Sequence, residues 1–172
     1  YLQPSPQPPG ERAKAMFERE WIAYGRAAMG VTRNVYLTPT TIHFARRASF
    51  RIRYLGETRT ERPESHWDTR DFSLFEILDP RPLPILRRHE LCGEWKNPGS
   101  RLPRYIAVGL TQPRPTEDDL LLLVFDTPRP PDDVASSDGL CGEYGYFIDR
   151  MGVVTDGNTR YGRELQELFE KR

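Results

Sequence analysis

After residue 34, apolar residues recur at every second position in short runs, some of which proline or glycine residues separate. Ile42 and Phe44 form one run, and Phe50, Ile52 and Tyr54 form the next. A period of two is typical of strands with one buried face, and prolines and glycines mark turns. Because these strands follow one another without helices between them, the sequence predicts an antiparallel sheet rather than repeating strand–helix units.

Two helices are expected to flank this sheet. In residues 11–29, apolar side chains recur at spacings of three and four, which is typical of an amphipathic helix. Residues 161–172 carry a similar stripe. The predicted fold class is α+β: an N-terminal amphipathic helix, an antiparallel sheet of six to eight short strands with barrel-like closure as an alternative, and a C-terminal helix.

Several strands and loops can be placed individually. Residues 72–78 form a predicted strand, and residues 105–110 and 120–125 are expected to pair as an antiparallel hairpin. The proline-containing segments 111–119 and 127–139 are predicted loops. Residues 1–10 contain four prolines and are predicted to form an extended arm, which leaves residues 11–172 as a single domain.

The chain has no net charge, but its charges are unevenly spread. Residues 1–60 contain ten basic and four acidic side chains, and residues 113–172 contain seven basic and thirteen acidic ones. Two alternatives follow: a bipolar surface suited to docking, or halves that neutralise each other in the fold. No run of apolar residues is long enough to span a membrane as a helix.

The best candidate for a binding site is the arginine group Arg46, Arg47, Arg51 and Arg53. Arg51 and Arg53 share one face of a predicted strand whose aromatic residues point to the other face. Guanidinium groups bind carboxylates and phosphates in a bidentate manner, so this face suits an acidic protein surface or a nucleic acid, and the third alternative is a plain solvated face. The protein partner is favoured, because nucleic-acid-binding sheets expose aromatic residues beside their basic ones.

Both cysteines, Cys92 and Cys141, lie in similar pentads, LCGEW at 91–95 and LCGEY at 140–144. They are expected either to be buried core residues or to form a disulfide. A third alternative is a metal site with His89, although a structural zinc site requires four ligands and only this close pair is present.

No catalytic signature supports an enzyme. Ser65, His66 and Asp68 are close in sequence, but hydrolytic triads assemble in space and no nucleophile-elbow motif is present. His43 is expected within a strand, and the acidic groups 117–119 and 132–133 are expected to be solvated. No catalytic residue, cofactor or metal is therefore predicted.

Two short segments resemble known families. Residues 146–154 resemble the late β-hairpin of thioredoxin-like peroxidases, although the upstream Cys-x-x-Cys is absent. Gly93-Glu94-Trp95 is similar to the Gly-x-Trp of lipocalins, which stands in the first strand of that family and in mid-chain here. Neither resemblance extends over the whole chain.

These features together predict a non-catalytic accessory or scaffold subunit of a protein assembly. It would bind other subunits through the proline-rich arm, the proline-rich loops and the arginine-bearing strand. Arginine-rich composition and a start at Tyr1 favour a mitochondrial location. The alternatives are an RNA-binding subunit, a hydrolase using His66 or His89, and a small-ligand-binding domain. The apolar cavity of that last alternative would be lined by Phe44, Phe50, Tyr54, Leu122 and Phe125.

Overall fold

The structure is a computed structural model that describes residues 8–24, 27–44, 48–67, 69–82, 84–86, 89–92, 101–114, 117–135 and 138–149. Within these residues there is one short helix, α1 (Glu11–Lys14), and one π-helical turn, Ala28–Thr32. The described strands are β1 (Glu20–Tyr24), β2 (Val35–Leu37), β3 (Thr41–Phe44), β4 (Ala48–Arg59), β5 (Asp71–Ile77), β6 (Pro84–Leu86), β7 (His89–Glu90), β8 (Tyr105–Arg114), β9 (Glu117–Phe125) and β10 (Leu140–Asp149).

Eight strands form a closed antiparallel barrel. Each pairs with the next barrel strand along the chain, and β10 pairs back with β1. The remaining strands, β6 and β7, form a separate two-stranded hairpin. Closure pairs β1, from the basic first part of the chain, with β10, from the acidic last part.

The alternation in β4 explains how the sequence builds the wall. Phe50, Ile52 and Tyr54 point into the barrel and are buried, whereas Arg51 and Arg53 lie on the outer face, as the period of two predicts. A β-bulge follows at Tyr54/Gly56, where Gly56 has φ 136°. A residue without Cβ adopts this backbone readily, and the bulge helps the long strand to curve around the barrel.

The barrel interior is filled with large side chains. Trp21, Phe44, Phe50, Phe75 and Tyr146 all have at most 1% of their surface exposed and belong to one core cluster. Burying so much aromatic surface is a major source of stability for a domain of this size.

Each end of the barrel is covered by a connecting segment. At the end where β4 finishes, called the helix end here, Ala13 and Met16 of the α1 segment are buried against the interior. At the opposite end, called the disulfide end, Ala28, Leu91 and Cys92 are buried against the same cluster. The interior side chains are therefore shielded from solvent at both ends.

A second apolar cluster lies outside the barrel wall. Phe72, Leu123 and Phe125 point outward from β5 and β9 and are covered by Trp67 and Val134, which come from two loops. The β5 and β9 strands thus bury both faces, which explains why their sequences are nearly continuous apolar runs.

The predicted α+β class is wrong, because the described chain is mostly β. The predicted N-terminal helix over residues 11–29 is reduced to the four residues of α1, and residues 20–24 form β1 instead. Pairing of β1 with both β2 and β10 closes the barrel, and this long-range pairing overrides the helical spacing. The predicted C-terminal helix lies outside the described residues.

Several local predictions can be compared with the structure. The predicted strand at 72–78 and the hairpin of 105–110 with 120–125 are confirmed as β5 and as the β8–β9 pair. The predicted loop at 111–119 is wrong, because β8 and β9 extend through much of it. Pro113 is accommodated where the register shifts between Thr111 and Arg114.

No described helix has the length and apolar character needed to span a membrane.

Candidate functional site

The arginine group lies partly on the outer face of β4. Arg51 is exposed there, and Arg53 is half-buried. The Arg51 guanidinium forms no hydrogen bond or ion pair with a described residue, whereas Arg53 Nη2 donates to Glu76 Oε1 at 2.6 Å. Arg46 and Arg47 lie outside the described residues.

Neighbouring strands enlarge this face. Arg51 lies opposite Leu78, whose N–H donates to the Arg51 carbonyl at 2.9 Å and whose side chain is 43% exposed. Arg104, just before β8, is exposed and forms no ion pair with a described residue. We call Arg51, Arg53 and Leu78, together with Arg104 at their edge, the arginine face.

The charges of this face act on Tyr105. Burial raises the pKa of the Tyr105 hydroxyl, and the Glu76 carboxylate raises it further, while Arg104 and Arg53 oppose this rise. Glu76 is paired with Tyr105 across β5 and β8, and Arg53 binds Glu76, so these three residues lie together on the outer face. Arg53 Nε is buried without a hydrogen-bond partner in the described structure, so Arg53 retains donor capacity.

The rim of the face is held in place by Asp79. Its Oδ1 accepts a hydrogen bond from the Arg51 N–H at 2.9 Å, and its Oδ2 accepts one from Arg81 Nη1 at 2.5 Å. The Arg81 guanidinium also lies 5.0 Å from the centre of the Phe50 ring, a cation–π distance. These contacts fix the backbone that presents Arg51.

The residues of the predicted ligand cavity do not all line one space. Phe44, Phe50, Tyr54 and Leu122 belong to the interior cluster, but Phe125 belongs to the outer cluster. The prediction for Phe125 is wrong because successive side chains of a strand point to opposite faces. Leu122 and Phe125 of β9 are an odd number of residues apart and so lie on opposite sides of the barrel wall.

The two cysteines are joined by a disulfide across 49 residues of sequence, with Cα atoms 4.9 Å apart. Cys92 is buried at the disulfide end, and Cys141 lies at the start of β10. The bond therefore attaches the segment that follows β7 to the barrel wall. The side chain of His89 and residues 93–100, which include the Gly-Glu-Trp motif, are not among those described.

The histidines do not assemble a catalytic triad in the described part of the chain. His66 Nε2 lies 3.0 Å from both carboxylate oxygens of Glu143, and Trp67 Nε1 donates to the same carboxylate. His43 is buried, and its Nε2 lies 2.8 Å from Thr41 Oγ1. Asp68 lies outside the described residues. No group of three or more potential metal ligands occurs among the described residues.

Of the acidic groups 117–119 and 132–133, Asp133 has a structural role. Asp133 Oδ1 accepts a hydrogen bond from the Ala135 N–H at 3.0 Å, which stabilises the turn leading into Val134. That turn belongs to the proline-rich loop, where Pro128, Arg129 and Pro130 are exposed. The side chains of residues 117 and 118 are not described.

Asp71 connects three segments at the helix end. Arg12 Nη1 from α1 lies 3.0 Å from its carboxylate, and Arg59 Nη1 from β4 contacts both of its oxygens at 3.0 and 3.1 Å. Burial alone would raise the pKa of Asp71, but the hydrogen bonds and charges of Arg59 and Arg12 outweigh it and lower the pKa below 3.8.

We expect Asp71→Asn to lower stability at neutral pH by about 1 kcal/mol, because partly exposed ion pairs contribute little. A lowered pKa in the folded state stabilises the fold above the unfolded pKa of 3.8, and this contribution is lost as the pH falls through the folded value. Urea unfolding of both proteins should therefore differ at pH 7 and converge near pH 2. Glu61→Gln, which changes an exposed carboxylate 3.6 Å from Arg59, is the control. A constant difference between the two pH values would contradict this role of Asp71.

Comparisons with known proteins identify no relative. No protein-family profile, no curated protein and no solved structure matches this chain.

Proposed function

We propose that this chain is a non-catalytic accessory domain that binds an acidic protein surface through the arginine face. The observation that carries the proposal is Arg51, an exposed guanidinium without an ion pair among the described residues, directly opposite the exposed Leu78. Arginine beside an apolar side chain is a combination enriched in protein–protein interfaces.

The charge of the face supports an acidic partner. With Arg81 at the rim, the face carries four guanidinium groups, and among the described residues only Glu76 and Asp79 form ion pairs with them. Arg51 and Arg104 are thus left with their full charge. Such a surface attracts carboxylates and accelerates encounter with an acidic partner.

The orientation of the aromatic residues favours a protein over a nucleic acid. Phe50 and Tyr54 point into the barrel, so their rings are not available beside Arg51 for stacking on bases. Single-stranded nucleic acids are held by basic grooves together with stacking platforms. An arginine face without such a platform is better suited to carboxylate groups.

The barrel itself serves as a rigid support in this proposal. Its interior is filled by aromatic side chains, and the disulfide attaches one covering segment to the wall. A disulfide also implies folding in an oxidising compartment. The mitochondrial location predicted from composition receives no support from the fold.

We expect the double charge reversal Arg51→Glu and Arg104→Glu to abolish binding of the natural partner. The partner would be isolated from an extract of the native source with the wild-type chain, and its binding to each purified variant measured. A loss of at least about 100-fold is expected, because each reversal replaces attraction by repulsion. Added salt should weaken wild-type binding.

Lys14→Glu is the matched control, because it makes the same kind of charge change at the helix end, where Lys14 is exposed. It should bind the partner as the wild type does. Equal binding by the double variant and the wild type would remove the arginine face as the docking surface.

The alternative function, small-ligand binding, rests on the closed eight-stranded barrel, since some barrels of this size hold one small ligand. A metabolite panel tested by thermal unfolding distinguishes the two. A ligand that binds inside the barrel raises the melting temperature. Because the interior is filled, we expect no ligand to raise the melting temperature through contacts with interior residues such as Phe75.

A further inference from the structure

A polar groove opens on the surface at the helix end, at a distance along the barrel from the arginine face. It has a volume of about 750 Å³ and is lined by Arg59 at the end of β4, by residues 61–65, 67, 69 and 70 of the connection to β5, and by Asp71 at the start of β5. This volume lies within the usual range for small-molecule sites.

The wall and floor of the groove are fixed by groups that already have partners. Arg59 is held by Asp71, which also binds Arg12. Trp67 donates to Glu143 on β10, and its ring packs edge-on against Phe72 at 5.6 Å. The groove therefore keeps its shape without a ligand, which lowers the entropic cost of binding one.

Two further arginines in the groove have no such partners. The guanidinium groups of Arg62 and Arg70 are exposed and form no hydrogen bond or ion pair with a described residue. Their backbones are nevertheless fixed by Thr60, which is fully buried. Its Oγ1 accepts from the Arg62 N–H at 3.3 Å, and its N–H donates to the Arg70 carbonyl at 2.9 Å.

The remaining lining groups indicate which chemical groups a ligand needs besides an anion. The carboxylates of Glu61 and Glu64 and the hydroxyl of Ser65 are exposed in the same groove, and Glu61 also lies 3.6 Å from Arg59. A carboxylate accepts hydrogen bonds from hydroxyl groups and repels a second anion. The groove thus combines a site for one anionic group with acceptors for neutral hydroxyls.

We infer that this groove binds a hydroxylated phosphomonoester, with Arg62 and Arg70 on the phosphate and the two glutamates on the hydroxyl groups. Guanidinium forks match the geometry of phosphate oxygens and hold them with charge-assisted hydrogen bonds. The groove is also larger than inorganic phosphate requires, which leaves room for the organic part. This site is independent of the proposed docking of a protein at the arginine face.

The test is a titration of the full chain with glycerol phosphate, inorganic phosphate and glycerol at physiological ionic strength, followed by amide NMR. Glycerol phosphate should bind saturably and shift signals of residues 60–71. Arg62→Gln and Arg70→Gln should each weaken it about tenfold, the effect of losing one charge-assisted hydrogen bond. Arg129→Gln, which alters an exposed arginine in the proline-rich loop, should bind as the wild type does.

Three outcomes would overturn the inference. Unchanged affinity in the Arg62 and Arg70 variants would remove the arginines from the site, and shifts spread over all exposed arginines would show screening rather than binding. Equal affinity for inorganic phosphate and glycerol phosphate would reject the role of the glutamates. Because Arg62 and Arg70 are exposed, both variants should unfold at the wild-type temperature, so weaker binding cannot be attributed to misfolding.

Discussion

Replacing both Cys92 and Cys141 with serine is expected to lower the free energy of unfolding by about 4 kcal/mol. The disulfide closes a loop with a sequence separation of 49 residues. In the chain-entropy treatment, a cross-link over a loop of this length removes that much conformational freedom from the unfolded state. This is a large part of the stability of a typical domain, so the variant should unfold at a much lower temperature.

The effect should be concentrated at the disulfide end. Leu91 is fully buried there beside Cys92, and the bond to Cys141 holds both against the barrel. Hydrogen exchange of residues 89–92 should therefore accelerate more than that of β4 and β5. Reduced wild-type protein is the matched control and should unfold like the double-serine variant. If the variant and the oxidised wild type unfold at the same denaturant concentration, the cross-link contributes nothing to stability.

Above pH 10, the protein should lose stability steeply because of two tyrosines inside the barrel. Burial raises the pKa of Tyr144 from 10.0 to about 12, and it raises the pKa of the fully buried Tyr146 as well, against a hydrogen bond with Thr32. The unfolded state therefore releases these protons first as the pH rises. Each tyrosine costs about 1.4 kcal/mol of stability per pH unit above the unfolded pKa, or together about 3 kcal/mol by pH 11.

Tyr146→Phe isolates this effect. The variant loses a 2.5 Å contact between the Tyr146 and Thr32 hydroxyls, so it should be less stable at pH 7 by about 1 kcal/mol. It should then lose less stability than the wild type between pH 9 and pH 11, because one buried phenol no longer ionises on unfolding. Urea unfolding measures both differences. Tyr36→Phe, on the outer face of β2, is the control. Partial burial and the Glu18 carboxylate raise the pKa of Tyr36 too, but less than full burial raises that of Tyr146, so its alkaline gain should be smaller. An equal gain would contradict the assignment to the interior.

How much of the fold can be read from sequence depends on the range of the contacts. The alternation of Phe50, Ile52 and Tyr54 with Arg51 and Arg53 predicts β4 correctly, because side-chain direction in a strand is a local property. The β1 strand could not be predicted in this way. Its apolar residues have helical spacing, and only pairing with β2 and β10, more than ten and more than a hundred residues away, makes it a strand.

The arginine face, too, could be predicted only as far as local side-chain direction determines it. The outward direction of Arg51 and Arg53 follows from the sequence, but the neighbours of Arg51 depend on register. Leu78 enters the arginine face only because β4 pairs with β5, and Arg104, opposite Ile77, lies at its edge because β5 pairs with β8. Register is set by the whole buried face and its bulges, so no local signal in the sequence reveals these two residues.

The continuous ring of backbone pairing has a consequence for how a partner can attach. Within the described structure, every barrel strand has a neighbour on each side, so the closed part of the wall offers no free edge on which a second chain could add a strand. Strand addition, in which a partner binds mainly through peptide groups, is thereby excluded for that part of the wall. A partner must instead contact side chains and loops. Substitutions at the surface can therefore change which partner this protein binds without altering the barrel wall beneath.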